Sequence, residues 1–237
     1  MNTWNATVKR IWSEMGSVSA ELKIDHPPTF HPGQYFFLND TSPDGAMVPI
    51  AVFPVENTPS GILIAPPTPT SWAPGLTISG QGPLGNGFHV PAITRKISLV
   101  CYHSSPQLLL SLASEVQSRG GEANLFWDLP VNGETILPFQ SSLEIQPIQA
   151  VEDAFLWADM IAIDVPFTRL AEIGTLREKT GKLLSGRSVE VLIRHEMPCG
   201  GMGECGVCAI PSRKGGWKLV CKDGPVFNWD EMAAREG

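Results

Sequence analysis

The chain has 237 residues, of which 43% are hydrophobic and 17% are charged, and its formal net charge is −7. This composition can bury cores and excludes a disordered chain, and the acidic balance argues against nucleic acid as the main partner. No apolar run approaches the roughly 20 residues that span a bilayer, and the first residues lack the apolar core of a signal peptide. We therefore expect a cytoplasmic protein with no membrane span.

Residues 1–94 have the pattern of short strands separated by turns. Apolar and polar side chains alternate over 18–24, which predicts a strand with one apolar face. Turn signals such as Pro32-Gly33 separate this strand from further short apolar runs. Six strands are predicted, at 3–12, 18–24, 35–38, 49–53, 62–65 and 76–79. Six antiparallel strands are enough to close a small β-barrel, which we assign to this segment.

Residues 95–194 alternate between strand and helix patterns. Strands are predicted at 96–101, 123–127, 159–165 and 188–194, with a weaker candidate at 144–148. Helices are predicted at 106–119 and 168–184, the first with Ser105 as its N-cap and Gly120-Gly121 as its end. Alternating strands and helices imply a parallel sheet with helical crossovers, so this segment is predicted to be an α/β domain.

Residues 195–237 are rich in glycine and contain four of the five cysteines. Cys199, Cys205 and Cys208 share one loop and Cys221 follows after twelve residues, which is the layout of a plant-type [2Fe–2S] site. Glycines at this density let backbone N–H groups approach an anionic cluster. We predict that these four cysteines bind one [2Fe–2S] cluster, beside a hairpin of 206–211 against 217–221.

A structural zinc site is the alternative interpretation of these cysteines. Zinc ribbons usually pair two Cys-x₂-Cys motifs, whereas this segment has one, at Cys205 and Cys208. The gap after Cys199 is five residues, one more than in the plant-type pattern. The fifth cysteine, Cys101, is interpreted as a small residue at a strand end, and His103 as a turn residue.

The C-terminal segment resembles the iron–sulfur tail of the dihydroorotate dehydrogenase electron transfer subunits, in the ferredoxin reductase-like group. The resemblance rests on the sequences of 196–200, 205–208 and 221–227, and on two N-terminal motifs at 32–35 and 82–88. It implies a barrel, an α/β domain and a cluster module in this order. It also implies a partner, an FMN-containing catalytic subunit that oxidises dihydroorotate in pyrimidine biosynthesis, while this chain carries the electrons. No candidate general acid or base pair emerges from the sequence, so we assign no catalytic residues to this chain.

The family barrel normally holds FAD with an Arg followed by Pro, an apolar residue and Ser or Thr. This chain has Val48-Pro49-Ile50-Ala51 at that place, so both polar side chains are missing. Each lost charge-assisted hydrogen bond costs about 1.5–3 kcal/mol, and we therefore expect weak FAD binding. The candidates for FAD contact are the loop residues Gly82, Pro83, Leu84, Gly85 and Asn86.

NAD binding is not expected. The first α/β strand should open into a glycine-rich turn for a dinucleotide, but here it continues into Cys101-Tyr102-His103-Ser104-Ser105. The segment 80–85 matches G-x-G-x-x-G, yet no helical pattern follows it to meet a pyrophosphate. These departures keep a second hypothesis open: a zinc-stabilised or redox-responsive interaction protein on a reductase scaffold that has lost its cofactors.

Overall fold

A computed structural model describes residues 3–14, 17–41, 48–128, 143–181 and 186–233. The N-terminal strands form one antiparallel sheet: β1 (Thr3–Glu14), β2 (Ser17–Lys23), β3 (Tyr35–Asp40), β4 (Ile50–Val52), β5 (Pro54–Thr58), β6 (Gly61–Ile64) and β7 (Thr77–Leu84). Their order is β4-β3-β7-β1-β2-β6-β5. The end strands β4 and β5 are separated in the chain only by Phe53, so the sheet curls into a nearly closed barrel.

Within the described ranges this sheet has seven strands, so the predicted count of six was wrong. The additional strand is β5, and its sequence Pro-Val-Glu-Asn-Thr has no regular alternation of apolar and polar residues. It lies at an end of the sheet, where proline is tolerated because no ladder needs its missing N–H. The other strands overlap the predicted ones, and β7 continues to Leu84 through most of the G-x-G-x-x-G pattern.

Strand β3 borders two cores because both of its faces are buried. Phe36 and Leu38 belong to the barrel core, where the Phe36 ring meets Trp4 edge-on at 5.1 Å. Tyr35 and Phe37 belong to the second core, which contains the apolar residues of the α/β domain together with Cys208 and Cys221. Successive side chains of a strand point to opposite faces, so this strand connects the barrel with the rest of the protein.

The α/β domain is built on a second sheet. Its elements are β8 (Lys96–Cys101), α1 (Gln107–Ser118), β9 (Glu122–Trp127), β10 (Glu144–Pro147), α2 (Ala154–Trp157), β11 (Met160–Pro166), α3 (Leu170–Thr180) and β12 (Ser188–Arg194). The strands pair in parallel in the order β10-β9-β8-β11-β12. The parallel sheet predicted from the alternating pattern is thus confirmed, and the end of the helix predicted at 168–184 lies outside the described residues.

Helix α1 shows how the local sequence sets its boundaries. At its start the Ser105 hydroxyl accepts a hydrogen bond from the Gln107 N–H at 3.4 Å. At its end Gly120 has a φ of 77°, and the Gly121 N–H donates to the Val116 carbonyl at 3.0 Å. A left-handed glycine of this kind ends many helices, so the predicted end of the helix is confirmed, whereas the helix begins at Gln107 with Pro106 rather than the predicted Ser105 as its N-cap.

The C-terminal segment folds onto both preceding parts. It contains the hairpin strands β13 (Ala209–Pro211) and β14 (Trp217–Leu219), the short helix α4 (Val220–Asp223) and strand β15 (Val226–Asn228). The antiparallel pairing of β13 with β14 confirms the predicted hairpin. Strand β15 pairs antiparallel with β12, so the segment adds an edge strand to the α/β sheet. No helix in the described ranges is long and apolar enough to cross a membrane.

A buried carboxylate on the barrel has an unusually low pKa. Glu21 on β2 accepts hydrogen bonds from Lys9 at 3.0 Å, Arg10 at 2.6 Å, Ser60 at 2.8 Å and Thr58 at 3.1 Å. Burial raises the pKa of Glu21, but the four donors outweigh burial and lower the pKa to about 2. The ionised carboxylate therefore stabilises the folded barrel.

Glu21→Gln should lower the free energy of unfolding at neutral pH by about 1–3 kcal/mol. Because the folded pKa lies below the ordinary value of 4.5, this stabilisation is complete above pH 4.5 and is lost as the pH falls toward 2. Urea unfolding at several pH values should show the two proteins converging in acid. The exposed Glu122→Gln is the control, expected within about 0.5 kcal/mol of wild type. A difference for Glu21→Gln that does not change with pH would contradict the prediction.

Candidate metal centre

The loop 199–208 is shaped by its glycines. Four of them have positive φ angles, between 63° and 83°: Gly200, Gly201, Gly203 and Gly206. The backbone N–H groups of Gly203, Gly201 and Cys205 donate hydrogen bonds to the Cys199 sulfur. Backbone N–H groups of one loop that converge on the same atom favour an anion there, and thiolate sulfur is such an anion.

The structure brings together the four cysteines that the sequence predicts as ligands. The thiol of Cys199 contacts those of Cys205 and Cys221, and the thiols of Cys208 and Cys221 are also hydrogen-bonded. The Cys221 N–H donates to the Cys208 sulfur at 3.4 Å. Each of the four therefore touches at least one of the others, although Cys221 lies on a different element, α4.

The pKa values of the cysteine thiols differ, because the thiols act on one another. Burial raises the pKa of Cys199, but the N–H donors and the Cys205 thiol outweigh it and lower the pKa to about 6. Burial, followed by the neighbouring Cys208 and Cys199, raises the pKa of Cys221 to about 12. Four thiolates therefore need positive charge among them, which bound metal ions supply. This donor set, with N–H groups aimed at sulfur, fits an iron–sulfur cluster.

The surroundings of the four thiols differ between the two sides of the site. Among the described residues, no three His, Cys, Asp or Glu side chains have the arrangement of a site for one metal ion. Cys208 and Cys221 are buried, whereas Cys205 is exposed and lies between the exposed Met202 and Val207. The cysteine site thus has a buried side toward the barrel and an open side at Cys205.

The barrel segment 32–35 connects with the C-terminal segment. The Tyr35 hydroxyl donates to the Cys221 carbonyl at 2.7 Å. Gly33, with a φ of 90°, lies so close to Val226 that a Cβ at Gly33 would be 2.6 Å from a methyl group. Burial, followed by the negative charges of the nearby cysteines, raises the pKa of Tyr35 above its ordinary range. Tyr35 was not among the predicted site residues, although the motif at 32–35 contributed to the family resemblance.

The cysteine loop also lies directly on the barrel. A Cβ at Gly201 would be 2.7 Å from Cε2 of Phe37, and a Cβ at Gly200 would be 3.1 Å from Cγ of Pro49. Pro49 belongs to the tetrapeptide that replaces the flavin motif, and its neighbour Val48 is exposed. The four residues at 48–51 are all apolar, and weak FAD binding at this place stays a prediction.

The candidate FAD contacts lie where β7 ends and the barrel meets the C-terminal segment. Gly82, Pro83 and Leu84 belong to the strand itself. The Gly85 carbonyl accepts from the Gln34 side chain at 3.0 Å. Asn86 donates from its backbone N–H to the Gly224 carbonyl at 2.7 Å and from its side chain to the Asp223 carbonyl at 2.8 Å. These residues remain candidates for FAD contact, and Asn86 already uses its backbone N–H and one side-chain N–H within the protein.

The carboxyl end of β8 has no glycine turn. Cys101 is fully buried, and burial, followed by the adjacent Asp164, raises the pKa of its thiol well above the ordinary value. His103 has a φ of 46°. The backbone N–H of His103 donates to the Asp128 carboxylate at 2.7 Å, and the Nδ1 of the His103 ring lies 3.2 Å from the same carboxylate. His103 thus occupies, under strain, a backbone conformation that favours glycine.

The family comparison agrees with this geometry. The sequence model described as "Iron-sulfur cluster binding domain of dihydroorotate dehydrogenase B" matches residues 195–233, which include all four cysteines. Residues 195–233 are therefore similar to the iron–sulfur cluster binding domain of dihydroorotate dehydrogenase B.

Curated relatives carry matching names. A putative dihydroorotate dehydrogenase B (NAD(+)) electron transfer subunit from Thermotoga petrophila is 27% identical over 155 residues, which cover 65% of this chain and 64% of that protein. The corresponding subunit from Clostridium acetobutylicum is 27% identical over 169 residues, 67% of this chain and 65% of that protein. The alignments thus span just under two thirds of the length of these relatives.

Solved structures show the fold. An NADH-dependent reduced ferredoxin-NADP oxidoreductase has a TM-score of 0.70 at 18% identity, covering 96% of this chain and 89% of that chain. A ferredoxin reductase of carbazole 1,9a-dioxygenase has a TM-score of 0.59 at 18% identity, covering 78% and 66%. The fold is therefore ferredoxin reductase-like, with a barrel followed by an α/β domain.

Proposed function

We propose that this chain is the electron transfer subunit of a dihydroorotate dehydrogenase-like oxidoreductase. The observation that carries the proposal is the convergence of Cys199, Cys205, Cys208 and Cys221 around N–H donors within the matched iron–sulfur domain. When bound, a [2Fe–2S] cluster supplies a one-electron redox centre at this place.

The residues around the four cysteines close one side of the site and leave the other side open. Helix α4 and the barrel residues Tyr35 and Phe37 close one side, and the loop around Cys205 leaves the other side open. A redox centre near the surface exchanges electrons with a docked protein, because the distance between donor and acceptor stays short. The open side is thus suited to a partner, and the buried side keeps water from two of the four thiols.

We infer that the partner is an FMN-containing catalytic subunit that oxidises dihydroorotate to orotate, in the cytoplasm, as a step of pyrimidine biosynthesis. The curated relatives are named as electron transfer subunits, which supports the existence of a catalytic partner subunit. Oxidation of a carbon substrate releases two electrons as a hydride, which a flavin can accept and pass on singly. The partner therefore oxidises the substrate, and this chain transfers the electrons.

Metal and sulfide analysis of the anaerobically purified chain tests the proposal. The expected sample is brown and contains two irons and two acid-labile sulfides per chain, as the [2Fe–2S] formula requires. A colourless protein with one zinc per chain and no sulfide would instead support the zinc-stabilised interaction protein. That result would refute the electron-transfer function.

Cofactor content gives a second test. We predict well under one FAD per isolated chain, because Val48 and Ala51 replace the flavin-holding side chains. We also predict no useful NADH binding, because Cys101–Ser105 replaces the glycine turn. Acid release of flavin after dialysis and calorimetric titration with NADH measure the two. Stoichiometric FAD that survives dialysis would contradict the first part, and micromolar NADH affinity would contradict the second.

A further inference from the structure

We propose that Tyr35 is a positioning residue that sets the reduction potential of the cluster through the hydrogen bond from its hydroxyl to the Cys221 carbonyl. The inference rests on the proposed function, because it concerns the cluster that the four cysteines hold. It assigns a role to a barrel residue that lies 186 positions before the cysteine it contacts.

The hydrogen bond from Tyr35 to Cys221 is short and shielded from water. The distance from the Tyr35 hydroxyl oxygen to the Cys221 carbonyl oxygen is 2.7 Å, and both residues are buried. Water therefore does not compete for either group, and a hydrogen bond in such surroundings is electrostatically stronger than one in solvent. It is a specific contact between the barrel and a proposed cluster ligand.

The tyrosine ring has little freedom to turn away. Phe37 meets it edge-on at 5.1 Å, and Phe53 lies at 6.2 Å. Two glycines complete the enclosure: a Cβ at Gly85 would be 2.9 Å from Cε1 of Tyr35, and a Cβ at Gly201 would be 3.4 Å from its hydroxyl. The packing thus fixes the direction of the hydroxyl, which is the condition for a preorganised dipole.

The direction of the effect follows from the dipole. The hydroxyl hydrogen, the positive end, points to the peptide of Cys221, and the ring lies within electrostatic reach of Cys221, Cys208 and Cys199. Reduction adds one negative charge to the site. A positive dipole end nearby stabilises that charge, and hydrogen bonds next to the ligands are known to tune metal centres in this way. Removal of the hydroxyl should therefore make the cluster harder to reduce.

Tyr35→Phe tests this inference because it deletes the hydroxyl and keeps the ring. The chain has only one other tyrosine, Tyr102, which is also buried but lies near Asp128 and Arg169. Tyr102→Phe is therefore the matched control. Both variants and wild type are titrated anaerobically, with the EPR signal of the reduced cluster as the readout and with iron and sulfide measured on the same samples.

The expected result is full iron and sulfide in all three proteins and a more negative midpoint potential for Tyr35→Phe alone. A threefold change in the ratio of reduced to oxidised cluster at a fixed solution potential corresponds to about 30 mV. Unchanged potential in a fully loaded Tyr35→Phe would overturn the tuning role and leave the proposed function intact. Iron missing from Tyr35→Phe alone would also overturn it, since the hydroxyl would then be needed for assembly. Iron missing from wild type would refute the proposed function itself.

Discussion

Cys208→Ser should abolish stable iron binding, and Cys205→Ser should do the same. Each change replaces a thiolate by a hydroxyl, which stays protonated and is a poor ligand for iron. Cys208 is buried against Cys221, so no solvent ligand can enter easily in its place. Iron and sulfide per chain, together with the visible absorption of the anaerobic protein, measure the loss.

The control is the one cysteine outside the cluster segment. Cys101 is buried at the end of β8, where the charges of Asp164 and Arg194, rather than those of the other cysteines, act on its thiol. Cys101→Ala removes a thiol without touching the proposed ligands, so iron content should equal that of wild type. Full iron in both Cys205→Ser and Cys208→Ser would contradict the ligand assignment. Loss of iron in Cys101→Ala would show that iron content reports general stability rather than ligation.

Local patterns in the sequence were sufficient for most elements of the fold. The period-two alternation over 18–24 and the terminal Gly120 of helix α1 are signals that depend only on neighbouring residues. The proximity of Cys199, Cys205 and Cys208 has a related cause, because three thiols on one short loop cannot lie far apart, whereas their binding of a cluster stays a prediction. Strand β5 was missed because a polar strand with proline at its start owes its existence to its neighbour β6.

The contacts around the site could not be predicted in the same way. Tyr35 and Cys221 meet although no local pattern relates them, and β15 joins the α/β sheet only because β12 offers an unpaired edge. The loop that contains Gly85 and Asn86 shows a further difficulty. Its glycines indicate close approach of another group, but the sequence does not say whether that group is a flavin or the backbone of Gly224.

The position of the cysteine loop on the barrel leads to a second large effect: Gly201→Ala should remove most of the iron. A Cβ at Gly201 would lie 2.7 Å from Cε2 of Phe37, closer than real contacts allow. The Phe37 ring cannot move aside freely, because it is buried and packs edge-on against Tyr35 at 5.1 Å. The loop must therefore shift away from the barrel and carry the Gly201 N–H away from Cys199.

Gly206→Ala separates this clash from the cost of the backbone conformation. Gly206 has a φ of 70° and Gly201 one of 83°, so alanine is strained at both positions by about 1–2 kcal/mol. Apart from its two chain neighbours, however, no atom of the described residues lies within 4 Å of a Cβ at Gly206, so that variant should keep most of its iron. The double variant Gly201→Ala with Phe37→Leu should regain iron relative to Gly201→Ala, because the smaller side chain makes room for the methyl group. Equal loss in Gly201→Ala and Gly206→Ala, without rescue by Phe37→Leu, would mean that φ strain alone governs the loop and that its contact with the barrel is not needed to hold the cluster.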